Sequence, residues 1–288
     1  MVDYWMVALG MCVVFLGLLT VDYLFAEEWQ LLTRDKAQSY GTEIYEIMPP
    51  FTQIELIPEV CILIPTDARI PFLKMKYLDA TKEAINKWYN DLTIWVGHDE
   101  NAFKIDVIVV SKQSQTRYNI PQDYPNCNVF IHFSYSNPDQ NDASVGSTGF
   151  FFEDSRHKYA DIVIYTHDLP RNVEPIMVDP NPDNWVLPRA SELLELSPLR
   201  YNTLRQVVAH ELGHAYGLGH YFAGENNPSR SIMEPMLDAW GDMTMYAPPQ
   251  ELDLYAMTYL YGFDGWYGYG FPPFERCMIA NPNVAECN

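Results

Sequence analysis

Residues 210–220 read His-Glu-Leu-Gly-His-Ala-Tyr-Gly-Leu-Gly-His, and this run restricts the geometry of the chain more tightly than any other. His210 and His214 stand four apart, a spacing that stacks two imidazoles on one face of a helix within reach of a single ion. A third histidine further along the same straight helix could not converge with them. The chain must turn sharply, and Gly217 permits the backbone angles required, so that His220 returns from beyond the turn. Three histidines with a fourth position left open form the ligand set of a catalytic zinc site. Glu211, next to the first ligand, is placed to take a proton from a zinc-bound water; it is a base and not a ligand. The plain alternative is a helical surface patch carrying accidental histidines.

The flanking residues argue for a built site. Ser197-Pro198 reads as an N-cap followed by proline at the first helical position. A helix from Pro198 to about Tyr216 would bury Leu199, Leu204, Val207, Val208, Leu212 and Ala215, and Gly217 and Gly219 would stop it. Upstream, Val60–Ile64 reads as a buried strand, and Pro71 precedes a helical stretch from Phe72 to about Leu92. Strand-like runs follow at Ile105–Val110, Asn128–Tyr135 and Ala160–Tyr165, with an edge strand expected within 144–152. Residues 168–190 are rich in Pro, Asp and Asn and read as a surface loop. Pro248-Pro249 opens a last helix that Gly262 stops. This order predicts an α/β domain (α+β in its segregated helices) on a mixed twisted sheet, spanning residues 58–263.

At this point the chain resembles the metzincin zinc peptidases. The likeness rests on His210-Glu211-x-x-His214-x-x-Gly217-x-x-His220 followed by Ser231-Ile232-Met233-Glu234-Pro235. The second run is similar to the family's Met-turn, with Met233 as a hydrophobic base beneath the metal. Met233-x-Pro235 and the run Asp253 to Gly262 are most similar to the matrixin-like branch. The resemblance implies a metzincin-like zincin domain with an active-site helix and a C-terminal helix. It also implies Zn2+ as cofactor, a protein or peptide substrate extended along an edge strand, and a side-chain pocket walled by Pro235 and Met236. Calcium is possible, but no motif supports it. No cysteine-switch motif occurs upstream, and no cysteine pair follows the zinc motif as in the archaemetzincin branch. His157 and His167 do not reproduce the matrixin structural-zinc pattern and read as ordinary surface or loop residues.

Composition bounds the setting. Thirty-eight acidic against eighteen basic side chains give a net charge of -20, which a phosphate backbone would repel, so nucleic-acid binding is set aside. Tyr4 to Val21 carries no charge and is close to bilayer length. Residues 1–26 therefore read as a signal anchor or a signal peptide, with the anchor preferred, the remainder outside the membrane, and secretion after cleavage as the alternative. Residues 27–57 read as a linker or short pro-segment and 264–288 as a tail. Of five cysteines, Cys12 lies in the apolar run. In an exported domain Cys277 would pair with Cys287 and, by elimination, Cys61 with Cys127; free buried thiols are the equal alternative. The reading that follows is a zinc-dependent endopeptidase of extracytoplasmic proteins. A zinc-binding surface scaffold without catalysis and a zinc hydrolase of non-peptide amides stand beside it.

Overall fold

The computed structural model describes residues 57–110, 126–138, 144–153, 156–168, 196–221, 231–234 and 248–267, together with Ile47 and Ile54. Strands β1 (Glu59–Leu63), β2 (Asp106–Val110), β3 (Val129–Ser134), β4 (Gly146–Glu153) and β5 (Arg156–Tyr165) form one sheet in the order β2-β1-β3-β5-β4. The pairs β1–β2, β1–β3 and β3–β5 are parallel, and β4 runs antiparallel to β5 at the edge. The expected mixed sheet is therefore present, and so is the edge strand. Near-continuous apolar runs such as Val60-Cys61-Ile62-Leu63 suit strands covered on both faces, and all four residues are buried.

Alternation along these strands sorts the two faces. Val60, Ile62, Val129, Ile131, Ile162 and Ile164 join the main core, where they meet three helices. These are α1 (Tyr77–Trp95), α2 (Tyr201–Ala215) and α3 (Glu251–Tyr261). Cys61, Leu63, Val110, Cys127 and Phe130 form a smaller cluster on the opposite face. There Cys61 and Cys127 are joined as a disulfide with Cα atoms 5.9 Å apart, the pairing reached by elimination. Parallel pairing of β1 with β3 brings Cys61 opposite Phe130, three residues along from Cys127, so the two cysteines meet at one end of the same ladder.

The structure departs from the sequence reading at the starts of α1 and α2. Residues 72–76 form turns, and α1 begins only at Tyr77. Lys76 holds φ 55, a left-handed angle that a continuous helix cannot contain. Ser197 and Pro198 are not a helix cap. They form a two-residue strand β7 (Ser197–Pro198) against β6 (His167–Asp168). Leu199 N–H donates to Thr166 O at 2.8 Å and Leu199 O accepts the Tyr77 hydroxyl at 2.9 Å. Those bonds hold the segment extended, and α2 starts two residues later, capped by Arg200 in extended conformation without a side-chain bond. Past the boundary expected at 263, Gly265–Tyr267 forms a 3-10 turn. Its Trp266 is buried and donates to Lys104 O at 2.8 Å.

The membrane anchor is corrected. Among the described residues no helix is long and apolar enough to cross a membrane, and the apolar run at 4–21 that motivated the anchor lies outside them, so no helical span supports it. The Cys277–Cys287 pairing and the pocket residues Pro235 and Met236 also lie outside the described residues.

Candidate metal centre

Helix α2 lies against α1 in the main core. Trp88 Nε1 donates to the carbonyl of Ala209 at 2.8 Å, one residue before the first motif histidine. Nearer the helix start, Arg205 reaches Glu83 of α1 at 2.5 Å. The helix ends as its glycine suggests: Gly217 sits at φ 100, an angle open to glycine at little cost. Gly217 N–H donates to His214 O and Leu218 N–H to Gly213 O, at 2.8 and 2.9 Å. The chain turns back at once, and His220 joins the other two histidines.

One potential ligand nitrogen from each of His210, His214 and His220 lies within 4.8 Å of the others, and this is the one such metal-capable cluster among the described residues. The rings of His210 and His214 meet edge to face at 4.7 Å, and His220 stands 4.7 Å from His214 and 5.3 Å from His210. His210 Nδ1 lies 2.7 Å from Ile232 O, and His214 Nδ1 lies 2.8 Å from Leu218 O. A carbonyl can only accept, so both Nδ1 atoms carry the proton and both Nε2 lone pairs face away from the carbonyls. Loss of hydration pushes the imidazoles down, His210 to about 3 and His214 to about 4, with His220 lowered by the same cause. Three neutral imidazoles, two with fixed tautomers, have the chemistry a divalent metal needs from its ligands.

Glu211 is buried between α2 and the edge strand. Thr148 Oγ1 donates to Glu211 Oε2 at 2.6 Å. Burial pushes the carboxyl up to about 7, against the opposing effect of the Thr148 bond. A carboxyl near neutrality, beside a histidine cluster, can gain and lose a proton in the range where general bases work.

Below the histidines, residues 231–234 form a tight turn. Met233 is fully buried, and its sulfur rests where a Cβ on Gly213 would stand. Gly213, which the motif leaves unspecified, thus lets the turn reach the helix backbone between two histidines. Asp253 of α3 fastens the turn: it accepts from the Ser231 hydroxyl, from Ile232 N–H at 2.9 Å and from Gln250 N–H at 2.7 Å. Ile232 is the residue whose carbonyl receives the His210 proton, so α3 connects to His210 through a single residue, held by its N–H on one side and its C=O on the other. Burial pushes Asp253 up to about 6, against those three bonds. The return strand is tied as well, with Tyr221 N–H donating to Met233 O at 2.9 Å.

The sequence reading brought His210, His214, His220, Glu211 and Met233 together; the structure gathers the three histidines, packs Met233 against Gly213 and ties Glu211 to Thr148. It passed over Thr148, Gly213 and Asp253 as site residues. Gly213 lies inside the motif and could have been questioned as a glycine in mid-helix, which costs about 1 kcal/mol and calls for a packing reason. His167 is not a surface residue. It is buried, and its ring lies 4.3 Å from that of Tyr135.

The family model for peptidase M66 matches residues 199–234, a stretch running from just before α2 through the tight turn. No curated protein matches the chain. Among solved structures, one described as the GM1 bound form of the ECX AB5 holotoxin is 18% identical, covers 74% of this chain and 87% of its own, and has a TM-score of 0.36.

Proposed function

We propose that this chain is a zinc-dependent endopeptidase, of metzincin type and nearest the matrixin-like branch, acting on extracytoplasmic proteins. One observation carries the reading: three histidines bring a ligand nitrogen each within 4.8 Å of the others, with the buried Glu211 next to the first of them on the same helix. The peptidase M66 match over the same residues supports a peptidase. The Cys61–Cys127 disulfide supports an oxidising, extracytoplasmic setting.

His210, His214 and His220 would hold the zinc. When bound, zinc supplies Lewis acidity toward a scissile carbonyl and makes a water more acidic. The rest falls to the chain. Ile232 O and Leu218 O hold two imidazoles in the tautomer that presents Nε2. Glu211 takes the proton of the attacking water on its carboxylate and returns it to the leaving amine, so that one residue serves as base and then as acid. Met233 fills the space under the histidines and keeps water from that side. Asp253 holds the turn that carries Met233.

The test is metal analysis of the full chain together with cleavage of a peptide library, with and without a chelator. About one zinc per chain and chelator-sensitive cleavage of internal peptide bonds are expected. Stoichiometric zinc with no peptide cleavage would leave a scaffold or a non-peptide amidase. Cleavage that persists in a metal-free sample would remove zinc from the chemistry.

A further inference from the structure

The edge strand carries a feature that neither the zinc motif nor the tight turn explains. Gly146 and Thr148 are two apart on β4 and so share one of its faces, the face turned to α2. A Cβ on Gly146 would stand 2.5 Å from Glu211 Oε1 and 2.8 Å from a methyl of Val207. Thr148 Oγ1 donates to Oε2 of the same carboxylate at 2.6 Å, and its weaker option, Glu211 O, is at 3.2 Å. One carboxylate oxygen therefore lies over a glycine that leaves room for it, and the other is held by a hydroxyl. Neither partner is free to drift. Gly146 is registered against Ile164 and Thr148 against Ile162 in the β4–β5 ladder. Threonine is stiff at χ1, so its hydroxyl is aimed by the strand itself.

We infer that Gly146 and Thr148 form a seat on the edge strand for the Glu211 carboxylate, with Thr148 as a positioning residue for catalysis. The inference rests on the reading of Glu211 as general base only for what the seat accomplishes. A glutamate has three rotatable bonds, and a base that swings out of line loses reactive alignment quickly. Support by a hydrogen bond from a rigid element is what keeps such a group in its productive geometry. Among the described residues the same strand is the last of the sheet.

Thr148→Val removes the hydroxyl while nearly keeping the shape. With zinc content and melting temperature unchanged, it should lower kcat about tenfold or more and leave KM within about twofold. Thr148→Ser should recover most of the loss, because it restores the donor without the stiff χ1. In a Glu211→Ala background, Thr148→Val should cost nothing further, since it acts only through that carboxylate. Crystal structures of the parent chain and of Thr148→Val provide a readout independent of turnover: the carboxylate should leave its place over Gly146 in the variant. An unchanged kcat, an equal loss without Glu211, or an unmoved carboxylate would each overturn the seat. A parent chain that cleaves no peptide would instead end the endopeptidase reading, and the carboxylate position in the two structures would still decide the seat.

Discussion

His132 on β3 and His210 on α2 are both histidines inside the folded domain, but their surroundings differ in kind. His132 Nε2 lies 2.7 Å from Asp161 Oδ1 on the neighbouring strand β5, with both side chains buried. Its charge, when present, is matched locally. His210 meets a backbone carbonyl on one ring nitrogen and two further histidines on the other side. Such a group of imidazoles is unfavourable when protonated and has only lone pairs to offer when neutral. The comparison shows how the partners differ: His132 stands beside a carboxylate within the sheet, whereas the three histidines face one another with lone pairs of the kind that could hold a metal ion.

The sharpest way to break this contrast is to remove histidines from each region. Changing His210, His214 and His220 together to alanine should abolish zinc binding and peptide cleavage, whereas His132→Ala should keep about one zinc per chain by metal analysis. Glu211→Ala tests the same region without touching a ligand: zinc should stay and kcat should fall by on the order of 10² or more. Near-normal turnover of that variant would assign water activation to another group.

Next in size is the support beneath the cluster. Asp253→Ala leaves the Ser231 hydroxyl and the N–H groups of Ile232 and Gln250 without their acceptor, which should cost about 3 kcal/mol in denaturant unfolding. Zinc affinity should fall by on the order of tenfold, because the carbonyl that orients His210 belongs to the released turn. In the frame region, Asp161→Asn should cost about 2 kcal/mol and leave zinc affinity as it was. Equal loss of zinc affinity in both variants would erase the distinction between support and frame.

The smallest effect is a pH dependence. Asp253 has its carboxyl raised to about 6 from an ordinary 3.8. A raised carboxyl binds its proton more tightly in the folded than in the unfolded chain. Its contribution is therefore fully present below about pH 4 and declines as the pH climbs through about 6. The stability difference between the parent and Asp253→Asn, followed from pH 4 to pH 7, should shift in favour of the variant with rising pH.

Much of this was legible in the sequence because it is written in short-range spacing. The buried strands announce themselves as β-branched runs, the i, i+4 histidines define one helix face, and Gly217 marks where that face must end. Counting cysteines offered the Cys61–Cys127 bond beside free buried thiols as an equal alternative, and the structure shows the bond. Other features depend on where distant segments meet. Nothing near Thr148 signals that its hydroxyl will face a glutamate sixty-three residues away. Asp253 reads as one more polar position on a helix until the fold brings Ser231 and Ile232 to it. Ser197-Pro198 carries a sound local cap signal that strand pairing with His167-Asp168 overrides, as tertiary bonding often does to local preference. The late start of α1 has the same character, since Pro71 favours a helix start but Lys76 turns left-handed before one can propagate.

The bond from Asp253 to the turn has a bearing on how portable such a site is. The stretch matching a peptidase family ends at residue 234, nineteen positions short of this carboxylate. A fragment cut to that stretch, or grafted onto a foreign scaffold, would carry all three histidines, the glutamate and the methionine, yet lack the acceptor that holds Ile232 in register with His210. It would also lack Thr148. The letters of the motif would be transplanted and the instrument left behind. Engineering with this motif therefore has to move at least three pieces, the helix with its turn, the edge strand and the last helix.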